Sequence, residues 1–373
     1  MLKVATVFSG IGAAEFALRR LGIEHQIVFA CDNGEREIDY DLEEEMRKVR
    51  SLKNAKEKRD YVESLYQSKT RKTNFVKETY LANYPCPETS YFEDVRLLDG
   101  RDFADKVDLF IGGSPCQSFS SVGFQGGLED ARGTLFYDFA RLIKEIRPKV
   151  FIYENVRNLL NHDGGKTWNV IKNIFDSLGY SYSFSILNSS DYGIPQTRRR
   201  LFVVGIRNGE AVPMPPATHQ LPFKMQDFLL WNCAFGGFEY TRGGAISIIK
   251  KKGKVDPKYT LTPLLYNYVM KSGTKSFYQK PIINKDIART LLKTMGNRHR
   301  AGIDNYVSKN GSTKLGDVRM LTERECLRLM GFTDDFKVVV SRSQCYKQAG
   351  NSIVVDVMMA ILQELFEKGA LRI

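Results

Sequence analysis

The first 207 residues alternate between short apolar runs and amphipathic segments, and this alternation restricts the possible folds more than any other feature. The apolar runs include KVATVFSG, IVFACD, VDLFIGG and KVFIYENV, and segments such as AAEFALRRLG and TLFYDFARLIKEI stand between them. Buried strands that alternate with helices of about 10 to 15 residues are typical of a mostly parallel sheet with helices on both faces. We therefore predict an α/β domain, to which YSYSFSIL and RRLFVVGIR add the last strands.

The composition is that of a globular protein, with 43% hydrophobic and 26% charged residues, and it excludes a disordered, collagen-like or coiled-coil chain. A length of 373 residues favours a large core domain with a smaller partner. No run of 18 apolar residues occurs, and the apolar N-terminal segment is interrupted by Lys3, Glu15, Arg19 and Arg20. We therefore expect neither a membrane span nor a signal peptide, and an intracellular protein.

Changes in composition along the chain predict its domain organisation. Residues 34–78 are dense in charges of both signs with apolar residues at helical spacing, which indicates an inserted pair of amphipathic helices. This insertion is interpreted as a surface excursion, with a DNA-contacting arm and a partner-docking surface as alternatives. A proline cluster after Asn208 marks a boundary. We predict domain segments 1–208, 209–316 and 317–373, the last ending in a helix that starts at Asn351 or Ser352 and stops before Gly369.

The positive charge is concentrated in one segment. Residues 219–316 contain 17 Lys and Arg against 5 Asp and Glu, a surplus equal to the net charge of +12 of the whole chain. This favours an anionic polymer as the partner of that segment. The six cysteines form no CxxC pair and only four histidines are present, so neither a zinc site nor a disulfide framework is expected.

Two turns that follow predicted strands have features of a ligand site. Gly10 and Gly12 follow the first strand and precede a helix, where glycines let the backbone approach a ligand. Glu15 breaks the dinucleotide fingerprint, so no pyrophosphate clamp is indicated. Asp32 and Asp94 end later strands and suit the hydroxyl and amino groups of a nucleoside, or else cap loops.

Three further side chains are expected at the same edge of the sheet. Cys116 follows Pro115 on a loop after VDLFIGG, and it is either a nucleophile or a small buried side chain. Glu154 ends a fully apolar strand, where an acidic residue is costly unless it is paired or used. Arg198 and Arg200 share one strand face in QTRRR, as catalytic groups or as a solvated basic edge.

Six strings occur in a fixed order, namely FSGIG, GGSPCQSFS, RGTLFYDFARLI, ENV, DYGIPQTRRR and GNSIVVDVM. With them the chain resembles the DNA cytosine-5 methyltransferases of the prokaryotic or viral restriction-modification type, over about residues 2–32, 79–207 and 318–366. The resemblance implies an S-adenosylmethionine-dependent methyltransferase fold, Rossmann-like with a mixed, mostly parallel sheet. It also implies a small irregular target-recognition domain, and the basic segment lies at its position.

The resemblance also implies the roles of individual residues. Cys116 matches the nucleophile, Glu154 and Arg198 the pair that holds and activates a flipped cytosine, and Arg200 a supporting residue. The S-adenosylmethionine pocket is implied to contain Phe8, Gly10, Ile11, Gly12, Asp32, Asn33, Asp94, Val95, Pro115, Leu135, Asn351 and Ser352.

The predicted DNA contacts fall in the cysteine loop and in the basic segment. The flexible lysines suit phosphates, whereas Arg298 and Arg300 in GNRHRAG suit guanine edges, with phosphate contact as the alternative. The residues expected to face DNA are Gln117, Ser120, Lys250, Lys251, Lys252, Arg298 and Arg300.

The expected enzyme is a monomer in a prokaryotic cytoplasm, associated with the nucleoid, which converts S-adenosylmethionine to S-adenosylhomocysteine on double-stranded DNA. We expect no membrane association and no stable complex with any cognate restriction endonuclease. Three alternatives stay open: a tRNA cytosine methyltransferase, an inactive DNA-binding relative and a cofactor-binding oxidoreductase. The Cys-Phe-Thr element of the tRNA enzymes is absent, the catalytic motifs are all present, and the glycine pattern is wrong for a dinucleotide.

Overall fold

The computed structural model describes residues 1–115, 135–218, 220–230, 237–249, 255–270 and 281–372, and seven strands of this part form one mixed sheet. The strands are β1 Leu2–Val7, β2 His25–Cys31, β3 Tyr91–Phe92, β4 Leu109–Gly112, β5 Val150–Val156, β6 Tyr180–Asn188 and β7 Arg199–Arg207. Their order is β3-β2-β1-β4-β5-β7-β6, and β7 alone runs opposite to the other six strands of this sheet. The predicted mixed, mostly parallel sheet is confirmed.

Helices cover both faces of the sheet. The helices are α1 Ala13–Arg20, α2 Leu42–Ser51, α3 Ala55–Lys69, α4 Phe75–Asn83, α5 Leu135–Ile146, α6 Lys166–Ser177, α7 Pro263–Met270, α8 Glu323–Arg328, α9 Arg342–Asn351 and α10 Val355–Glu367. One apolar core includes α1, α8 and α10, and a second core on the opposite face includes α5 and α6.

Strand β1 shows why the central strands are apolar at nearly every position. Leu2 and Val4 belong to the core with α1 and α10, whereas Ala5 and Val7 belong to the core with α5 and α6. Successive side chains of a strand point to opposite faces, so a strand covered on both faces needs apolar residues in both registers. The continuous apolar runs of the sequence therefore identify the centre of the sheet.

The charged insertion forms the predicted pair of helices, α2 and α3. Val49, Val62 and Tyr66 of these helices bury against Leu97, which follows β3. The apolar stripe that the sequence indicated is therefore a contact between the insertion and the β3 edge of the sheet.

The C-terminal helices return to the sheet, and a buried ion pair holds them there. Arg20 of α1 is fully buried and donates to both carboxylate oxygens of Asp356 on α10, at 2.8 and 3.0 Å. Its guanidinium also donates to the carbonyl oxygens of Gly244 and Gly331. This one side chain connects the first helix, the last helix and the segment that lies between the two parts of the predicted catalytic domain.

The last helix begins later than predicted. It starts at Val355 with Val354 at its N-cap position, whereas Asn351 ends α9 and Ser352 is the C-cap of α9. The predicted start at Asn351 or Ser352 is therefore wrong, because these residues close one helix before a short connection to the next. Gly369 follows the C-cap of α10 with a φ of 71°, as predicted for the residue past the helix end.

Two packing patterns occur between residues 209 and 320. Strands β8 Phe238–Tyr240 and β9 Ile246–Ile248 form a hairpin, and β10 Tyr306–Val307 pairs with β11 Arg319–Met320. Leu261, Val269, Tyr306 and Val318 make a separate small core, while Phe238 packs into the main core. Some residues after residue 208 therefore pack into the main core, and others pack only with one another in the small core. The predicted domain boundaries stay predictions.

One stretch of the described chain, Arg342–Glu367, is long and apolar enough to cross a membrane by length and composition alone. Of the 18 most apolar consecutive residues in that stretch, 61% are buried within the protein, and a mostly buried core helix passes the same test of length and composition.

Candidate active site

A cavity of about 370 Å³ opens at the carboxyl ends of β1, β2, β4 and β5. The sheet order reverses between β1 and β4, and ligands of open α/β sheets bind at such a point. Glu154, Arg198 and Arg200 line the cavity. Eleven of the twelve predicted cofactor residues line it as well: Phe8, Gly10, Ile11, Asp32, Asn33, Asp94, Val95, Pro115, Leu135, Asn351 and Ser352.

The turn after β1 is held by Asp32. Phe8 and Gly10 both have positive φ, at 52° and 53°, so the chain reverses sharply at the cavity wall. The Asp32 carboxylate accepts hydrogen bonds from the backbone N–H of Gly10 at 2.9 Å and of Gly34 at 2.8 Å. Burial raises the pKa of Asp32 more than these two donors lower it. The carboxylate therefore fixes two turns that face the ligand space.

Gly12 is the predicted cofactor residue that is not part of the cavity lining. It is the N-cap of α1, with a φ of 75°, and its carbonyl accepts a hydrogen bond from the hydroxyl of Tyr84 at 2.6 Å. A Cβ at this position would lie 2.2 Å from the Tyr84 ring. The contacts of Gly12 therefore indicate close packing between α1 and the residue after α4, and its predicted cofactor contact stays a prediction.

Glu154 and Arg200 form an ion pair inside the cavity. The Arg200 Nε lies 3.2 Å from Oε1 of Glu154, because β7 pairs antiparallel with β5 and places Arg200 opposite Val156. The Glu154 side chain is 15% exposed. Burial raises the pKa of Glu154, while the nearby Arg200 and Arg198 oppose this rise. A carboxyl group with a raised pKa retains its proton closer to neutral pH, as a general acid requires.

Arg198 has a different environment although it stands only two residues before Arg200. It is buried, and its terminal nitrogens donate to the carbonyl oxygens of Leu291 at 2.9 Å, Gly350 at 2.9 Å and Ser352 at 2.8 Å. Burial lowers the pKa of Arg198 to about 9, and the charge of Arg200 adds to this effect. Its predicted role at the base stays a prediction, since its two terminal nitrogens already bind backbone oxygens.

Gln196 makes a similar connection from the same motif. Its side-chain oxygen accepts from the backbone N–H of Leu291 at 2.9 Å, and its nitrogen donates to the carbonyl of Leu329 at 2.7 Å. At Gly350 a Cβ would lie 2.3 Å from the carbonyl carbon of Leu292, so the two backbones touch there. Gln196 and Arg198 therefore fasten the segment around residue 291, from the basic part of the chain, to the catalytic core.

The chain that leads to the predicted nucleophile is held by residues after β4 and on β5. Asn155 donates to the carbonyl of Ser114 at 2.9 Å and to the Tyr153 hydroxyl at 2.7 Å, and that hydroxyl lies 2.8 Å from the Ser114 hydroxyl. At Gly113 a Cβ would lie 3.0 Å from Oε2 of Glu154, a tight contact that would require the Glu154 side chain to shift. Sequence reasoning missed Asn155 as a site residue, although it belongs to the quoted string ENV.

A charged cluster at the cavity was also missed. Glu35 has a positive φ of 55°, and its carboxylate lies 2.8 Å from Nζ of Lys347 and 3.4 Å from Nζ of Lys293. Asn351 donates to the same carboxylate at 2.9 Å. The partners are separated by more than 250 residues, so no spacing in the sequence could have indicated them.

The predicted DNA contacts are only partly described. Cys116, Gln117, Ser120, Lys250, Lys251 and Lys252 lie outside the described residues. Arg300 donates from its backbone N–H to Asp304 at 2.7 Å and from its guanidinium to Thr294 at 2.8 Å. The Arg298 side chain has no hydrogen-bond or ion-pair partner within the described ranges. Both base-reading roles stay predictions, and the two arginines differ in their freedom to reach DNA.

The described cysteines have the properties of core residues. Cys31, Cys86, Cys326 and Cys345 are free thiols and are all buried. Burial raises the pKa of each, to about 12 for Cys86 and Cys345, which keeps them as unreactive thiols. In the part of the chain that the structure covers, no three His, Cys, Asp or Glu residues are grouped so as to hold a metal ion.

Comparisons with known proteins support the family resemblance and the fold. The sequence model of the family described as C-5 cytosine-specific DNA methylase matches residues 51–367. The type II methyltransferase M.SsoII of Shigella sonnei is 35% identical over 298 residues, which cover 78% of this chain and 71% of that protein. The type II methyltransferase M.HhaI of Haemophilus parahaemolyticus is 34% identical over 290 residues, with 77% and 83% covered.

A phage protein and a solved structure extend the similarity over nearly the whole chain. The orphan methyltransferase M.SPRI of Bacillus phage SPR is 27% identical over an alignment of 470 residues, with 98% of this chain and 97% of that protein covered. The crystal structure of the S. pombe Dnmt2 methyltransferase has a TM-score of 0.67 at 17% identity, and the match covers 98% of each chain. At this identity the structural match supports the fold alone.

Proposed function

Since this chain belongs to the C-5 cytosine-specific DNA methylase family and is a DNA cytosine-5 methyltransferase, we propose that it acts on flipped-out cytosine through a covalent adduct at Cys116. The proposed methyl donor is S-adenosylmethionine and the proposed substrate is double-stranded DNA. The observation that carries the proposal is one cavity that brings eleven of the twelve predicted cofactor residues together with Glu154, Arg198 and Arg200.

The cavity residues fit S-adenosylmethionine in their chemistry. Phe8, Ile11, Val95 and Leu135 supply apolar surface for an adenine ring, and carboxylates lie next to them for the polar edges of a nucleoside. When bound, this cofactor supplies a methyl group that is electrophilic because it is attached to a sulfonium. The protein residues then have to make carbon 5 of cytosine nucleophilic, which it is not in the free base.

The proposed activation uses the predicted nucleophile and the buried acid. The Cys116 thiolate adds to carbon 6 of the ring while Glu154 gives a proton to ring nitrogen 3, so that electron density moves to carbon 5. After carbon 5 has received the methyl group, water takes up the carbon 5 proton, the Cys116 sulfur leaves as a thiolate, and the proton on ring nitrogen 3 returns to Glu154, which restores the aromatic ring. The raised pKa of Glu154 supports the acid role, because burial favours the protonated form over the charged one.

The contacts favour Arg200 as the arginine that orients the extruded base. Both arginines line the cavity, but the Arg200 guanidinium lies against Glu154, whereas the terminal nitrogens of Arg198 bind three carbonyl oxygens. We therefore assign Arg198 to holding the basic segment against the catalytic core. Rotation of the base out of the duplex costs a few kcal/mol, about the energy of one or two good polar contacts.

The remaining parts of the proposal concern partners and place of action. The bacterial and phage relatives support a prokaryotic enzyme of the restriction-modification type, which acts on nucleoid DNA in the cytoplasm. We propose that it works as a monomer and without a stable complex with a restriction endonuclease.

The test of this function starts with bisulfite sequencing of DNA from cells that express the protein, which identifies the methylated cytosine. A duplex with 5-fluorocytosine at that position is then incubated with enzyme and S-adenosylmethionine. The wild type should form a denaturation-resistant adduct, because fluorine cannot leave as a cation, and the Cys116→Ser variant should form none.

A Cys86→Ser variant is the matched control, because this cysteine is buried away from the cavity lining, and its adduct should equal that of the wild type. Unmodified tRNA should not accept methyl groups. Near-normal turnover of Cys116→Ser on ordinary duplex would refute the covalent mechanism.

A further inference from the structure

The helical insertion contributes two tyrosine hydroxyls to an acidic residue of the cavity. The hydroxyl of Tyr40, which precedes α2, donates to Oδ2 of Asp94 at 2.6 Å. The hydroxyl of Tyr66, on α3, donates to the same oxygen at 2.8 Å. Both tyrosines lie within residues 34–78, whereas Asp94 follows β3 and lines the cavity. Two separate parts of the insertion therefore meet at one carboxylate of the predicted cofactor pocket.

Arg96 completes the surroundings of that carboxylate. Its backbone N–H and its Nε donate to Oδ1 of Asp94 at 3.0 and 3.1 Å, and a terminal nitrogen donates to Oδ2 at 2.8 Å. The Arg96 guanidinium also lies 4.9 Å from the ring centre of Tyr40, a cation–π distance. Five donors therefore hold the two oxygens of Asp94 in one orientation, and two of the five come from the insertion.

Apolar contacts strengthen the same attachment. Tyr66 is buried, and it packs with Val49 and Val62 against Leu97, two residues after the cavity residue Val95. The guanidinium of Arg36 lies 5.0 Å from the Tyr66 ring centre on the insertion side. Without these contacts the turn at residues 94–97 would have its outer side in water. The insertion therefore packs against the turn at residues 94–97 on the side opposite to the cavity and supports this part of the cavity wall.

We propose that the insertion is a structural part of the cofactor pocket, in which Tyr40 and Tyr66 are positioning residues that fix Asp94 for S-adenosylmethionine. This inference rests on the proposed function, because it takes the cavity to be the cofactor site. It assigns to residues 34–78 a role in cofactor affinity instead of DNA contact or partner docking. Removal of the two hydroxyls should loosen Asp94 while the aromatic rings keep their packing.

The experiment compares Tyr40→Phe, Tyr66→Phe and the double variant with the wild type. Binding of S-adenosylhomocysteine is measured by isothermal titration calorimetry, a readout that needs no turnover. Hydrogen bonds to a charged group are stronger than those between neutral groups, and part of their energy should reach the ligand. We therefore expect roughly tenfold weaker binding in the double variant and about threefold weaker binding in each single variant. Affinity for duplex DNA without cofactor should stay within about twofold of the wild type.

Tyr61→Phe is the matched control. Tyr61 is on the same helix α3 and its hydroxyl also donates to a carboxylate, that of Glu45, but neither residue lines the cavity. This variant should bind S-adenosylhomocysteine as the wild type does. Circular dichroism checks the folding of every variant, and the two single variants decide the question if the double variant does not fold.

The outcomes separate this inference from the proposed function. A wild type that binds no S-adenosylhomocysteine would refute the assignment of the cavity itself. A wild type that binds it, with Phe variants that bind equally well or more tightly, would overturn the role of the two tyrosines alone. Weakened DNA binding with unchanged cofactor binding would show that the insertion is a DNA-contacting arm, and it would overturn the inference as well.

Discussion

We expect methionine at Arg198 to lower mainly the stability of the fold and methionine at Arg200 to lower mainly the rate of methyl transfer. Arg198→Met leaves three buried carbonyl oxygens without their donor, at about 1–3 kcal/mol each. Part of this loss is recovered because burial of the cation is itself unfavourable, as the lowered pKa of Arg198 shows. We therefore expect the free energy of unfolding to fall by about 2–4 kcal/mol.

Arg200→Met should have the opposite profile. The Arg200 side chain is 19% exposed, and Glu154 can bind a proton once its partner is lost, so loss of the pair should lower the unfolding free energy by about 1–2 kcal/mol, less than the loss at Arg198. Loss of a donor that stabilises charge on the reacting base typically lowers kcat by about 10²–10³-fold. Arg198→Met should lower kcat by less than about tenfold at a temperature where it is folded.

The assay combines urea unfolding with single-turnover methyl transfer to the cognate duplex, measured well below the unfolding transition. The exposed Arg199 stands between the two arginines, and Arg199→Met is the control that should change neither quantity. An Arg198→Met variant of normal stability that loses activity as completely as Arg200→Met would refute this reasoning. It would place Arg198 at the reacting base.

Two further predictions concern Glu154 and the two arginines of GNRHRAG, Arg298 and Arg300. Burial raises the pKa of Glu154 in the folded state, so the stability that its protonated form provides is present below the unfolded pKa of about 4.3 and is lost as pH rises through the folded value. The unfolding free energy of Glu154→Gln, measured by urea unfolding, should therefore rise relative to that of the wild type as the pH increases from 4 to 8. The variant should also lose about 10²–10⁴-fold in kcat. If the difference in unfolding free energy did not change with pH, the raised pKa would be contradicted. Arg298→Ala should lose about 1–3 kcal/mol of discrimination between cognate and one-base-variant duplexes, whereas Arg300→Ala, whose side chain is bound to Asp304 and Thr294, should lower methylation of every duplex alike. Uniform loss for Arg298→Ala at two salt concentrations would assign it to phosphate.

The centre of the sheet was predictable because β1, β4 and β5 are buried on both faces and are therefore apolar at nearly every position. The runs that contain Val4, Ile111 and Ile152 became β1, β4 and β5, which are neighbours in the sheet. The edge strand β3, Tyr91–Phe92, was predicted only as the strand that Asp94 ends, because two residues carry no periodicity of their own. The start of α10 was misplaced for a related reason, since Asn351 and Ser352 are residues typical of helix starts and here they end α9.

The cavity was predictable to the extent that its residues belong to strings with a recognisable order. Asp32, Asp94 and Glu154 were identified because each follows an apolar strand at the edge where parallel strands end. The cluster of Glu35 with Lys347 was not, because its members come from distant parts of the chain and neither residue type is unusual on a surface. Long-range pairs of common polar residues leave no signal in a single sequence.

The motif QTRRR shows how neighbouring residues of one strand can serve two different requirements of the enzyme. Gln196 and Arg198 bind backbone groups near residue 291, where the basic segment meets the core. Arg200 pairs with Glu154 on the neighbouring strand. Antiparallel pairing fixes Arg200 to β5, so a displacement of the segment around residue 291 would be transmitted to the acid through only a few residues of β7. The position of the basic segment and the geometry of the proposed catalytic groups therefore depend on the same short stretch of chain. For this reason substitutions at Arg198 and Arg200 should differ in kind and not only in degree.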